Sequence, residues 1–414
     1  MRIAVVGMGI AGMVAAYLLA EEHDLVAFEA NDYLGGHTHT VPVTIKEKTY
    51  PVDTGFIVFN EQTYPNFVTL LRRNNIPWQP TNMSFSVQNA ATGLEYGFRS
   101  LNGVFAQRRN LVRPAFLRLL WEIWRFQREC GELAQDSDYA MGLGEYLTQK
   151  NYSRAFIQDF LLPLGSALWS AEARAMLDFP ARYFAEFTLR HRYLQLVGRM
   201  QWQVIQGGSS RYVPALTAKY RDRVRLGCPV EWIRRHPHRV EVKARGGEVE
   251  QFDWVVLACH SDQALKLLAD PSEREREILG GFPYQENSTV LHTDARLLPR
   301  RRAAWASWNY YLPPEPGERA TLTYHMNRLQ GLKAPVEFCV TLNRDRDIDP
   351  SRVIKKCTYQ HPVYRRQAPR LQARWPEING VNRTSFCGAY WGYGFHEDGV
   401  ISALRVCREF GKTL

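Results

Sequence analysis

The first stretch of the chain able to do chemistry is Gly7-Met8-Gly9-Ile10-Ala11-Gly12, three glycines at the spacing with which a backbone cradles a diphosphate. Gly7 permits a tight turn, Gly9 lets the main chain approach the phosphates, and Gly12 lets the next helix pack on the preceding strand. The N–H groups of Ile10 and Ala11 open that helix, where free donors and positive partial charge favour an anion. The elements such a loop requires flank it on both sides. Arg2 to Val6 is an apolar run of the kind buried in a parallel sheet, and Met13 to Leu19 is an apolar helix. A second apolar run, Leu25 to Phe28, ends at Glu29 and Ala30, with Glu29 placed 17 residues after Gly12. A carboxylate there accepts both hydroxyls of an adenosine ribose and repels a 2′-phosphate, which disfavours NADP. These residues predict a Rossmann βαβ unit that holds a dinucleotide.

Asn31-Asp32-Tyr33-Leu34-Gly35-Gly36-His37 follows the acid, and Asp53-Thr54-Gly55-Phe56 comes soon after. Gln206 to Tyr212 reads as a turn feeding a helix, with short strands and Cys228-Pro229-Val230 beyond it; Phe252 to Cys259 is a buried-strand pattern. Asn382 to Val406, NRTSFCGAYWGYGFHEDGVISALRV, again runs strand, glycine-rich turn, helix. This set resembles the flavin-containing amine oxidase superfamily, which also includes phytoene desaturases and protoporphyrinogen oxidase. The resemblance implies FAD, with Gly35 and Gly36 tracking the pyrophosphate and His37 standing where an arginine is commoner. It implies that Val230 touches the adenine and that the Gly55-Phe56 backbone approaches the isoalloxazine. Gly388, Glu397, Asp398 and Gly399 are expected at the ribityl chain and pyrimidine, although capping of the last helix is the preferred reading of the two acids. The implied fold is α/β: a Rossmann-type FAD-binding domain of residues 1–60, 200–265 and 380–414, interleaved with a mixed α+β substrate domain of 61–199 and 266–379.

Within the resemblance, the run GYGFHEDG, Gly392 to Gly399, is similar to a bacterial subgroup of predicted NAD/FAD-binding oxidoreductases. Members are often encoded beside, or fused to, cyclopropane-fatty-acid-synthase-like methyltransferases, which makes such a methyltransferase an expected partner. Amine oxidation in the superfamily usually employs a lysine near the flavin N5 and an aromatic cage. Here no lysine lies between Lys266 and Lys333, and Phe395 takes a position where amine oxidases often carry tyrosine. His292 and His396 are the candidate acid–base groups, because histidine exchanges protons near neutral pH. The aromatic clusters Trp305 to Tyr311 and Tyr390 to Tyr393 would either line an apolar tunnel or belong to the core. The expected activity is an FAD-dependent oxidoreductase acting on a lipid or fatty acyl chain, by desaturation or double-bond isomerisation with hydride transfer to the flavin. An amine oxidase producing hydrogen peroxide and a non-catalytic flavin-binding partner of a lipid methyltransferase are the alternatives.

Composition narrows the setting. The chain has 414 residues, 45% of them hydrophobic and 23% charged, as in a soluble globular protein larger than one core usually grows. No apolar run is long enough to span a bilayer. Seven scattered cysteines without a CxxC pair argue against a disulfide framework or zinc site, and no other metal-ligand spacing occurs, which points to a reducing, cytoplasmic setting. The net charge of +10 comes without a nucleic-acid motif, so anionic lipid or substrate is its expected meaning rather than nucleic acid. Residues 104–130 carry large apolar residues at helical spacing among six arginines, Arg108, Arg109, Arg113, Arg118, Arg125 and Arg128. Leu117, Leu120, Trp121 and Trp124 share one face. The segment reads either as a core helix with a solvated basic face or as a helix at a lipid headgroup boundary, at the inner face of the membrane.

Overall fold

Arg2–Val6 lies at the centre of a five-stranded parallel sheet, in the order Thr384–Phe386, Trp254–Leu257, Arg2–Val6, Asp24–Phe28, Val224–Arg225. Both faces of such a sheet are covered, which is why these strands are near-continuous apolar runs rather than alternating ones. The chain fills one side of the central strand through Asp24–Phe28 and Val224–Arg225 and then crosses to the other. That reversal puts a crevice at the carboxyl end of Arg2–Val6, the place where open α/β sheets bind ligands. Helix Ile10–Leu19 has nine of its ten residues buried, in keeping with its lack of a polar face. It packs against helix His396–Glu409, from the other end of the sequence. The computed structural model describes residues 1–135, 140–192, 200–315 and 319–414.

A second sheet has seven strands, in the order Val353–Pro362, Tyr284–His292, Cys339–Leu342, Leu322–His325, Trp308–Leu312, Phe85–Asn89, Leu94–Gly97. It is antiparallel except where Trp308–Leu312 runs parallel to Phe85–Asn89. Its strands come from two stretches of sequence, each lying between contributors to the parallel sheet, so the two units are interleaved. Trp308 and Tyr310 are buried in this sheet, and Tyr390 and Trp391 pack on Phe282, so both aromatic clusters belong largely to the core.

Asp53 pins the two units together. Its fully buried carboxylate accepts from Thr40 Oγ1 at 2.5 Å, Ser209 N and Oγ at 2.9 Å each, and Gln330 Nε2 at 2.9 Å.

Helix Pro114–Leu133 begins on a proline at its first turn, where no N–H is needed. Phe116, Leu119, Ile123, Phe126, Cys130 and Leu133 form its buried stripe. The stripe that includes Leu117, Trp121 and Trp124 is a different one and faces outward, with Leu120 between the two. The core-helix reading thus accounts for one face of this helix, and a second apolar stripe faces outward on the other. Among the described residues, no helix is long and apolar enough to cross a membrane.

Candidate flavin site

At the crevice, Gly7 has φ +93° and donates its N–H to Phe28 O at 2.9 Å. A Cβ on Gly12 would lie 1.9 Å from Gly7 O, so helix and loop can close only around a glycine there. A Cβ on Gly9 would meet nothing within 4 Å. Gly9 therefore faces open space in front of the helix start, and no side chain caps that helix. Gly35 and Gly36 cross this point: Gly35 N donates to Met8 O at 2.9 Å, and a Cβ on Gly36 would lie 3.2 Å from Gly9 Cα. A Cβ on Gly399 would lie 2.7 Å from the Ile10 side chain, so the first turns of the first and last helices sit side by side. Their positive ends and free N–H groups converge on one location.

Glu29 is buried at the strand end, where Oε2 accepts from Met8 N at 2.8 Å and Oε1 accepts from Asn31 N and Nδ2 at 2.9 Å each. A carboxylate has about four acceptor positions, so ribose hydroxyls would share it with the backbone it holds in place. Cys228 N donates to Glu29 O at 2.9 Å, which brings half-buried Val230 to the same corner; Ala30 is exposed beside it.

At the other end of the groove, the turn at Asp53 to Phe56 lies along His37 to His39. Phe56 N donates to His37 O at 2.7 Å, and a Cβ on Gly55 would lie 2.2 Å from that oxygen. Phe56 stacks on His396, ring centres 3.6 Å apart. His396 Nε2 bonds Tyr212 OH at 2.8 Å and Thr38 Oγ1 at 3.1 Å, and Thr38 and Tyr212 bond each other. Burial holds this imidazole well below its ordinary pKa. His396, expected as an acid–base group, is thus a stacked and hydrogen-bonded ring at the groove, to which it also contributes the backbone N–H that opens the last helix. Gly388 N donates to Ser402 Oγ at 2.8 Å and fixes the turn before that helix.

The two acids that follow His396 are caps. Asp398 accepts from Phe395 N at 2.9 Å, and burial pushes its carboxyl up to about 7. Glu397 accepts from Asn66 N at 3.0 Å, Asn66 Nδ2 at 2.7 Å and Phe67 N at 2.9 Å, closing the start of a different helix, Pro65–Arg73. Both carboxylates thus fix backbone at the groove's edge, Glu397 through both oxygens and Asp398 through one.

His292 is placed elsewhere. It ends the strand whose first residue, Tyr284, stacks on His260 beside the crevice, and eight residues of strand carry it about 26 Å away. It is fully buried, with Nε2 bonded to Thr341 Oγ1 at 2.7 Å and Nδ1 accepting from Asp294 N at 3.0 Å. Both nitrogens serve the sheet, which corrects the catalytic expectation for His292.

His37 belongs to a cluster that sequence spacing does not disclose. Its ring lies 4.9 Å from Tyr359, 5.2 Å from His361 and 6.3 Å from His260. His260 comes from the other flank of the loop, since Ala258 and Cys259 touch Gly7. His37 Nε2 and His260 Nδ1 are buried without a hydrogen-bond partner. Burial, reinforced for His37 by His260, pushes both imidazoles down to about 4.

These features fit FAD. Gly9 leaves room where a diphosphate requires it, two helix starts face the same place, and orphaned ring nitrogens adjoin the loop. A sequence profile of the flavin containing amine oxidoreductases matches residues 10–297, well over half of the chain. The chain belongs to that family. Like its family, it is an FAD-dependent oxidoreductase, and its fold is that of the flavin amine oxidases. Cyclohexylamine oxidase from Brevibacterium oxydans IH-35A superposes with TM-score 0.70 at 14% identity, covering 99% of each chain. Putrescine oxidase bound to putrescine gives 0.68 at 12%, again covering 99% of each. The CLA-producing fatty acid isomerase from P. acnes gives 0.68 at 15%, covering 99% of this chain and 98% of its own. No curated protein matches the sequence.

For this family member, the region next to the last helix is aromatic. Phe395 stacks on Phe187 at 4.9 Å and meets Trp169 at 6.3 Å, and Trp169 Nε1 donates to Tyr393 O at 3.0 Å. A cavity of about 660 Å³ opens on the far side of the same helix, lined by Tyr183, Arg190, Trp391, Arg405 and Arg408.

Proposed function

We propose that this flavoenzyme acts on a fatty acyl chain of a lipid, by desaturation or double-bond isomerisation. The observation that carries the reading is the setting of Phe395. At the start of the last helix half-buried Phe395 presents a hydrocarbon wall backed by the buried rings of Phe187 and Trp169, with the tryptophan N–H turned away to a backbone oxygen. The neighbouring carboxylates, Glu397 and Asp398, are occupied as caps, and His191 beside the wall is pushed down to about 4 by burial, hence neutral. Such a wall suits an alkyl chain, which gains by leaving water, and Phe395 lacks the hydroxyl of the tyrosine that amine oxidases often carry there. The lack of lysine between Lys266 and Lys333 points the same way.

Bound FAD would supply a two-electron acceptor. The chain's part is to hold one C–H bond towards it, keep water out and keep the backbone donors of the last helix aimed at the cofactor. Desaturation removes a hydride and a proton from adjacent carbons; isomerisation returns them and is redox-neutral. The CLA-producing isomerase shares the fold. A cyclopropane-fatty-acid-synthase-like methyltransferase, suggested by the GYGFHEDG resemblance, would work on the same acyl groups.

The test is an anaerobic absorbance titration of the FAD-loaded protein with monounsaturated phospholipid and, separately, with a polyamine. Bleaching by the lipid, or a shifted double bond found by mass spectrometry without net bleaching, supports the proposal. Bleaching by the polyamine alone replaces it with amine oxidation.

A further inference from the structure

We infer that the outer face of helix Pro114–Leu133, together with the turn before it, is a docking surface for an anionic lipid bilayer. On that face Leu117, Trp121 and Trp124 are 43%, 52% and 47% exposed, although side chains of this size are ordinarily kept from water. They recur at i, i+4 and i+7 and so form one ridge about 10 Å long. Leu111 and Val112, 50% and 81% exposed, extend it past the helix start. A stable core does not explain this ridge, because the same helix meets its core through a separate stripe.

Charge selects the occupant. Arg109, Arg113, Arg118 and Arg128 are exposed around the ridge, and the guanidinium of Arg128 lies 4.9 Å over the Trp124 ring and that of Arg125 5.8 Å over Trp121. Two of the helix's three acids turn the other way, and the third, Glu132, is exposed in its last turn, where it offsets one of the four cations. Glu122 is fully buried and accepts from Ser153 N at 3.0 Å, and Glu129 accepts from Tyr146 OH and Tyr152 OH at 2.8 Å each. The outer face is therefore apolar at its crest and cationic at its flanks. Tryptophan at the headgroup level, with arginines reaching lipid phosphates, is the arrangement of a helix lying in the membrane plane. Each arginine near an anionic surface strengthens binding by about fivefold. This inference is independent of the acyl-chain proposal, since a protein that binds vesicles but is not reduced by lipid retains the surface.

The experiment is flotation of the full-length, FAD-loaded protein with vesicles of phosphatidylcholine alone and of equal parts phosphatidylcholine and phosphatidylglycerol. The protein should float with the mixed vesicles, stay behind with phosphatidylcholine, and be released by high salt. W121A/W124A and R109E/R128E should each weaken partitioning about tenfold or more while keeping the wild-type melting temperature and flavin spectrum. The inference is overturned if wild type ignores the anionic vesicles, or if both variants bind them as wild type does. It is also overturned if sedimentation shows that the ridge joins two copies of the chain and W121A/W124A separates them.

Discussion

The two glycines that read alike in the sequence motif do different work, and substitution can separate them. Gly9→Ala adds a methyl group that meets no protein atom and sits at a backbone geometry alanine tolerates, φ −69°. The cofactor-free protein should melt as wild type does, while FAD affinity, followed by quenching of flavin fluorescence, should fall by at least an order of magnitude. Gly12→Ala would force a carbon to within 1.9 Å of Gly7 O and should cost folding itself, seen as loss of a cooperative melt. A second prediction concerns acid. His37 and His260 are held near 4 and His361 lower, by burial first, whereas in an unfolded chain they titrate near 6.5. The unfolded state thus takes up protons first, and the stability these groups contribute is present above about 6.5 and is lost as pH falls towards 4. Asp53 acts in the opposite sense, because burial raises it to about 6 and its contribution is lost as pH rises through that value. Asp398, raised to about 7, acts with Asp53, but His191, His292 and His396 are lowered too and the histidines prevail: the melting temperature of the cofactor-free protein should drop between pH 6.5 and 4, and drop less steeply in His361→Gln. The glycines and Glu29 were legible because their roles follow from local geometry. The histidine cluster was not, since its members lie on three segments and meet only through tertiary packing, and His292 looked available because alternation along a strand does not say which polar group finds a buried partner.

At the scale of elements, the start of the last helix is where the structure most revises the sequence reading. Asp398 caps its own helix, as local spacing suggests. Glu397 caps helix Pro65–Arg73 through Asn66, 331 residues earlier in the chain, and no periodicity announces a partner so distant. Glu397→Ala should therefore destabilise the protein by about 2 kcal/mol, as loss of a helix cap with buried donors left unmet. Denaturant unfolding should give the same loss with and without FAD; a loss confined to the loaded protein would instead make Glu397 a cofactor ligand. Helix Pro114–Leu133 gives the complementary lesson. Its length and proline start were readable, as was the face shared by Leu117, Trp121 and Trp124. Which of its two apolar stripes meets the core was not, because that is decided by helix Ala181–His191 and the other elements that cover it.

At the scale of the whole molecule, FAD should behave as a clamp between segments far apart in sequence. Saturating cofactor stabilises by mass action, about 2.7 kcal/mol at a hundredfold excess over Kd, so the melting temperature should rise with FAD and fall back when the flavin is removed. A chain ended after Gly380 lacks strand Thr384–Phe386 and the helix that flanks Ile10–Leu19, and should bind no FAD in a fluorescence titration. The interleaving has a consequence for how the protein is made. Helix Ile10–Leu19 and the helix beginning at His396 that packs on it are far apart in sequence, so at about 5–20 residues per second the second follows the first by roughly 20–80 s. For that interval one of the most apolar helices in the chain lacks its largest neighbour, which makes it a natural client for a chaperone during synthesis. Flavin capture should then follow synthesis of helix His396–Glu409, because the groove lacks one of its two helix starts until that helix is made.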